Sequence, residues 1–330
     1  MNYNFKNLVF EGGGVKGIAY GGALEVLNSM NIIPGIQRVA GTSAGAINAT
    51  LLALGYTSDE VSKIIAETNF KDFEDGNIVS EVIGVTKKYG WYKGDKFKDW
   101  LGKYIKAKTG NADITFREFA LQAKAKGFRQ LYVVSTNLTR QQALIFSHEP
   151  AHFLDTQIKD AVRMSMSIPL YFQAVTKDND IWVDGGVSWN YPVNIFDNNA
   201  YITKPENAEK VIYNTDPGYI FNHETLGFRL DSTQVIEYNK DNWKNEPVEI
   251  NNIKDYALGL VNFLMEMANK KHLHQNDWNR TIFIDTLDVK TTDFKLPPEK
   301  IRALLASGRT GVTDYFKWRD GDPVWNKLPV

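Results

Sequence analysis

The chain has 330 residues, with 38 basic and 39 acidic side chains, a formal net charge of −1, five histidines and no cysteine. Without cysteine there is no disulfide framework, thiolate nucleophile, zinc finger or iron–sulfur cluster, and balanced charge supplies no overall basic field for nucleic acid. With 43% hydrophobic and 23% charged residues the composition is that of a globular protein able to build a core, which excludes disorder of the whole chain.

Met1 to Lys6 is polar and runs directly into Leu8, Val9 and Phe10, so no secretory signal is expected. No apolar run approaches 18 residues, so no transmembrane helix is expected either, and the reading is a cytoplasmic protein. Asn7 to Phe10 suits a short buried parallel strand. Val15 to Met30 carries helical spacing through Ile18, Leu24 and Leu27. Arg38-Val39-Ala40 reads as a second strand and Ala44 to Leu54 as a second helix, an order that argues for parallel α/β packing.

Thr57 to Gly127 reads as mainly helical. Ser58 and Asp59 are the expected caps of a helix through Ala66. Lys93 to Lys108 is amphipathic through Phe97, Trp100, Leu101, Tyr104 and Ile105. Thr115 and Glu118 have capping-box spacing ahead of Phe119–Lys126. Gln130–Ser135, Ala143–Ser147 and Ile181–Val183 read as strands, and Ile158–Met166 as a helix that stops before Pro169. Beyond residue 200 the pattern is less legible: Ile253–Lys271 and Pro298–Trp318 look helical and Thr281–Asp285 looks like a strand. No linker or repeat divides the chain, so one continuous α/β domain over 1–330 is expected.

Three segments carry chemistry. Gly12-Gly13-Gly14-Val15-Lys16-Gly17 follows a strand and opens a helix, which satisfies G-x-G-x-x-G. The dinucleotide reading also asks for an acid about 20 residues on, where this chain has Gln37 and Arg38; an NAD(P)-binding oxidoreductase remains open on this segment. The same glycines expose backbone N–H groups at a helix start, a cradle for any anion, a transient oxyanion included. Gly41-Thr42-Ser43-Ala44-Gly45 is G-x-S-x-G between a short strand and a small-residue helix, the context of a nucleophile elbow. Asp184-Gly185-Gly186 ends the strand Ile181–Val183, and an acid at the C-terminal end of a parallel strand lies on the edge where α/β sites form.

Together, in this order, the three segments resemble the patatin-like phospholipase family. Ser165-Met166-Ser167-Ile168-Pro169-Leu170-Tyr171-Phe172 looks like that family's small-residue, proline and aromatic stretch ahead of the aspartate strand. Glu11 stands where plant members commonly carry aspartate. The resemblance covers roughly residues 6–200. It implies a three-layer fold with a mainly parallel central sheet flanked by helices, 6–200 forming the catalytic core and 201–330 an extension that completes or regulates it.

The resemblance further implies a lipid acyl hydrolase of the phospholipase A type, working through a Ser–Asp dyad and an acyl-enzyme without cofactor or metal. Ser43 would be the nucleophile, Asp184 its base, and the amides of Gly12, Gly13 and Gly14 the oxyanion hole. Lys16 would hold that loop or add positive potential, and Gly17, Gly41, Gly45, Gly185 and Gly186 would support the turns. Ser43…Asp184…His223 also follows the chain order of a conventional triad, so a histidine variant stays open. His272 and His274 are two apart and would not share a helical face, so they are not taken as a metal pair. A catalytically silent lipid-binding protein is the remaining alternative.

The implied partner is a phospholipid or other lipid ester, with peripheral membrane contact, no nucleic acid, and an activator left open. Trp91-Tyr92, the Tyr256–Ala268 helix (interrupted by Asn262 and Glu266) and Tyr315-Phe316-Lys317-Trp318-Arg319 are candidates for an apolar entry surface, or for simple core packing.

Overall fold

The structure is a computed structural model that describes residues 3–76, 88–150, 152–210, 218–233, 250–272 and 275–321. β1 (Asn7–Phe10) is buried along its whole length, with Leu8 and Phe10 in one apolar cluster and Val9 in another on the opposite side of the sheet. That two-sided burial is why it reads as a continuous apolar run and not as an alternation. The expected helix after it is split, a 3-10 turn over Gly14–Ile18 leading into α1 (Ala19–Ser29). β2 (Arg38–Thr42) leads through Ser43 into α2 (Ala44–Ala53), every residue of which is buried.

α3 (Ser58–Glu67) is capped by Thr57, not by Ser58 or Asp59. Its hydroxyl accepts the Glu60 N–H at 3.2 Å while Glu60 accepts the Thr57 N–H at 2.8 Å. The reciprocal acid decides the cap, because it must stand three residues beyond it. β3 (Gly90–Tyr92) interrupts the expected helical stretch and precedes α4 (Asp95–Thr109), which buries Phe97, Leu101 and Ile105. α5 (Phe116–Lys126) carries the expected Thr115–Glu118 capping box.

β4 (Gln130–Asn137), β5 (Gln142–Phe146), α6 (Ile158–Ser165), β6 (Leu170–Phe172), β7 (Val175–Lys177), β8 (Asp180–Asp184) and the short α7 (Gly186–Trp189) follow. β9 (Ala208–Glu209) and β10 (Phe221–Asn222) form a small antiparallel ribbon, and β3 pairs with β6. β11 (Thr225–Asp231), α8 (Ile253–His272), β12 (Thr281–Asp285) and α9 (Pro298–Arg319) complete the described chain.

The central sheet runs β12-β11-β1-β2-β4-β8-β7, with β5 on the other edge of β4. The five strands from β12 to β4 are parallel, whereas β5 and β8 run antiparallel to β4 and β7 runs antiparallel to β8. The sheet is therefore mixed. α1, α2 and α9 pack on one face; Tyr191, Val193 and Phe196 cover Val9, Ala40 and Tyr132 on the other.

Residues beyond 200 share this sheet, since β11 lies beside β1 and β12 beside β11. A buried charge cluster fastens the two parts: Arg280 donates to Asp197 through both Nη atoms at 2.6 Å and to Asp277 at 2.6 Å. Removing one partner of such a cluster strands a buried charge, at a cost of about 3–5 kcal/mol.

Candidate active site

β4 brings the two distant motifs together. One edge of β4 pairs with β5 over Val133–Asn137. The other edge pairs first with β2, ending at Thr42 opposite Val134, and then with β8, where Asp184 stands opposite Ser135. The ends of β2 and β8 thus meet on one edge, one register position apart. This works only because β8 is antiparallel to β4. The expectation of a parallel aspartate strand is corrected here: a parallel β8 would have carried Asp184 away from the end of β2.

Ser43 sits at the turn from β2 to α2 with φ 53° and ψ −124°, a region that costs a non-glycine residue on the order of 1–3 kcal/mol. Its surroundings hold it there. Its N–H donates to Ser165 Oγ at 2.9 Å, and Ser165 Oγ–H donates to Val134 O at 2.5 Å. A Cβ at Gly41 would collide with the Gly45 backbone, and one at Gly45 with Phe10 O. The two glycines flanking the serine are therefore required by close approach of β1, β2 and α2.

Asp184 is fully buried. Its N–H donates to Ser167 O at 2.9 Å, and its Oδ1 accepts the Gly186 N–H at 2.7 Å. Burial pushes the carboxyl up to about 7, against the opposing pull of the Ser43 hydroxyl and the Gly186 N–H. Ser43 is near enough to act on the carboxyl, yet Asp184 Oδ2 has no aligned hydrogen-bond partner. Hydrogen bonds of acid–base pairs are often loose before substrate arrives and tighten with it.

The glycine loop lies against Ser43, for a Cβ on Gly12 would stand 3.1 Å from Ser43 Cβ. Of the three expected oxyanion donors one is already engaged: the Gly12 N–H donates to Asn190 O at 3.1 Å. The N–H groups of Gly13 and Gly14, and that of Ala44 at the start of α2, have no acceptor among the described residues. Three residues that the motifs do not contain hold this loop. Asn190 Nδ2 donates to Gly12 O at 3.1 Å and to Glu11 Oε1 at 3.2 Å, while Glu11 Oε2 accepts the Leu230 N–H at 2.6 Å. Gly14, at φ 56°, packs against the Thr291 backbone, whose carbonyl accepts the Val15 N–H at 3.1 Å. The Lys16 methylenes lie over Gly13, and Gly17 meets α2 at Ala44.

An apolar slot opens at Ser43, walled by Ile47, Phe70, Phe73, Met166, Ile168, Phe172 and Phe294. It encloses about 20 Å³, room for a single water. A larger polar cavity of about 480 Å³ lies by Lys93, Asp95 and Arg163, without Ser43 or Asp184 in its wall. Of the two, it is the slot that contains Ser43.

His223 does not reach this site. It precedes β11 at the edge where Asn7 pairs with Thr225, the opposite end of the sheet from Ser43, and its Nε2 pairs with Glu209 at 2.8 Å. His148 and His152 lie by Tyr132 and Glu149. His274 falls outside the described residues. Of the candidate entry surfaces, Tyr315 and Phe316 are buried core, and Trp91 and Tyr92 are half-buried in β3. The α8 helix alone among the three turns a large apolar face outward.

A family model described as patatin-like phospholipase matches residues 8–197, and the chain belongs to that family of lipid hydrolases. Protein R571 of Acanthamoeba polyphaga mimivirus is 35% identical over 196 residues, 58% of this chain and 61% of that protein. YqhO of Bacillus subtilis (strain 168) is 30% identical over 323 residues, 94% of this chain and 97% of its own. The probable lipid hydrolase 463L of Invertebrate iridescent virus 6 is 29% identical over 192 residues, 58% of this chain and 63% of its own. The chain thus spans less than two thirds of the two viral relatives. Among solved structures, VipD from Legionella pneumophila superposes with a TM-score of 0.58 at 15% identity, over 96% of this chain and 67% of VipD, a likeness of fold.

Proposed function

We propose that the protein hydrolyses fatty-acyl esters of phospholipids, a phospholipase A-type reaction, through a dyad of Ser43 and Asp184. The observation that carries this reading is the meeting, on one edge of β4, of a strained serine and a fully buried carboxyl.

Asp184 Oδ2 takes the Ser43 proton as Oγ attacks the ester carbonyl. The tetrahedral oxyanion is received by the free amides of Gly13, Gly14 and Ala44. Collapse breaks the ester bond, the leaving alcohol takes the proton back from Asp184, and an acyl-Ser43 remains. Water then gives its proton to Asp184 and attacks the acyl carbon, and Ser43 is reprotonated as the fatty acid leaves. A free carboxylate, with its usual pKa near 4, is a weak base; desolvation brings Asp184 to the range where it both accepts and returns a proton at neutral pH. The phenylalanine-walled slot receives the acyl chain, which requires those rings to swing apart, a step an activator or a membrane surface would favour.

The test is labelling with a fluorophosphonate probe, followed by a panel of phospholipid vesicles with products read by mass spectrometry. Labelling of the wild type at Ser43, its loss in Ser43→Ala, and release of fatty acid are expected. Fatty-acid release undiminished in Ser43→Ala would overturn the assignment.

A further inference from the structure

α8 has one face committed to the site and another that the described chain leaves uncovered. Val261 and Met265 are buried, and Met265 Cε packs onto Gly186, two residues from Asp184. The inner face therefore roofs the Asp184-Gly185-Gly186 turn. On the outer side Ile253, Tyr256, Leu260, Phe263, Leu264 and Met267 are all exposed, Ile253 at 77%, Phe263 at 61% and Leu264 at 51%. At 3.6 residues per turn these six fall within an arc of about 100°, on a helix about 30 Å long. Ile250, just ahead of the helix, is exposed as well. Single exposed apolar residues are ordinary; a contiguous stripe of six marks a contact surface.

We propose that α8 docks flat in the interfacial layer of a phospholipid bilayer and so seats the Ser43–Asp184 site on its substrate. This rests on the lipid-hydrolase reading above. No described helix is long and apolar enough to cross a membrane, so insertion across the bilayer is not the use of this stripe. A helix with an apolar stripe that lies in the interface plane buries that stripe among headgroups and upper acyl chains. The occupant is a bilayer and not a second copy of the chain because the helix that bears the stripe is the one that roofs the site. A bilayer on that face supplies substrate to the site, whereas a second copy would stand between the two. The contact of Met265 with Gly186 makes the same helix a lever, since any tilt of α8 into lipid moves the atom packed beside Asp184.

The experiment uses the full chain, phosphatidylcholine vesicles and the triple variant Leu260→Ser/Phe263→Ser/Leu264→Ser, with Leu121→Ser, an exposed leucine on α5, as the control. Vesicle flotation is expected to show at least tenfold weaker binding by the triple variant and unchanged binding by the control. Hydrolysis of vesicle lipid should fall at least tenfold in the triple variant, with turnover of soluble p-nitrophenyl butyrate unchanged. Phe263→Trp gives an independent readout, an emission shift to the blue on adding vesicles. Wild-type binding by the triple variant, or no emission shift, overturns the proposal. So does a wild-type dimer that the triple variant converts to monomer while vesicle binding persists. Ser43→Ala should float like the wild type, so the binding arm judges the docking face even if no ester is turned over.

Discussion

The βα unit from β1 to α2 and the segments beyond Asp197 serve one site by different means. In the first, the turn itself is set locally: glycines at 41 and 45 admit the close approach, and the strand-to-helix turn strains Ser43. In the second, nothing is local. Leu230 and Thr291 grip the glycine loop and Met265 covers the aspartate turn, each from an element far away in the chain. The difference teaches that a strained turn can be encoded in a few adjacent residues, while the dry surroundings that raise the Asp184 carboxyl must be assembled from elsewhere.

The sharpest way to break this comparison is at the reacting groups. Ser43→Ala and Asp184→Asn should each lower kcat/KM for a soluble ester by at least about 10³-fold with the fold intact, as loss of one member of an interdependent set does. With Asp184 as the proposed base, kcat/KM of the wild type should climb as pH rises through about 7 and level off above it, because only an ionised carboxylate can accept a proton. A profile flat from pH 5 to 8 would remove Asp184 as the base.

Next in size is Asn190→Ala, which cuts the tie between Gly12 and Glu11. A loss of about 10²-fold in kcat/KM is expected, the scale of one missing oxyanion donor. A loss confined to KM would make Asn190 a matter of substrate binding instead of loop positioning.

Gly45→Ala tests the local half: a methyl aimed at Phe10 O should cost about 1–3 kcal/mol, read from the urea midpoint. Asp184→Asn tests the distant half by stability. A carboxyl raised from 3.8 to about 7 in the folded state binds its proton more tightly there than in the unfolded chain. Folding stability therefore falls as pH rises from about 4 to 7 and stays lowered above that. The stability advantage of Asp184→Asn over the wild type should be absent below about pH 4, grow across the window and be constant above it. Thr57→Ala should be the smallest effect, about 1 kcal/mol, the loss of one cap.

Strand β1, strand β2, helix α2 and the Thr115 cap were legible because each depends on neighbours in sequence. β11 was not, although it lies beside β1. Its apolar Leu226, Phe228 and Leu230 alternate with Gly227, Arg229 and Asp231, which reads as a half-exposed strand or a loop. All seven residues are buried because Arg229 pairs with Asp231 at 3.0 Å and Tyr191 fills the space over Gly227. The stripe on α8 was visible as an apolar helix, but which of its residues face out follows only from where the helix is laid.

The serine elbow, the glycine loop and the aspartate turn could be named from the sequence alone, because tight turns demand particular residues at particular spacings. The sequence could not supply the direction of β8, which alone lets residues 141 positions apart meet on one edge of β4. Nor could it supply the burial that moves Asp184 to about 7 or the engagement of the Gly12 amide by Asn190. Desolvation and strand direction are properties of the packed chain, set by residues whose own sequence carries no sign of the chemistry they enclose.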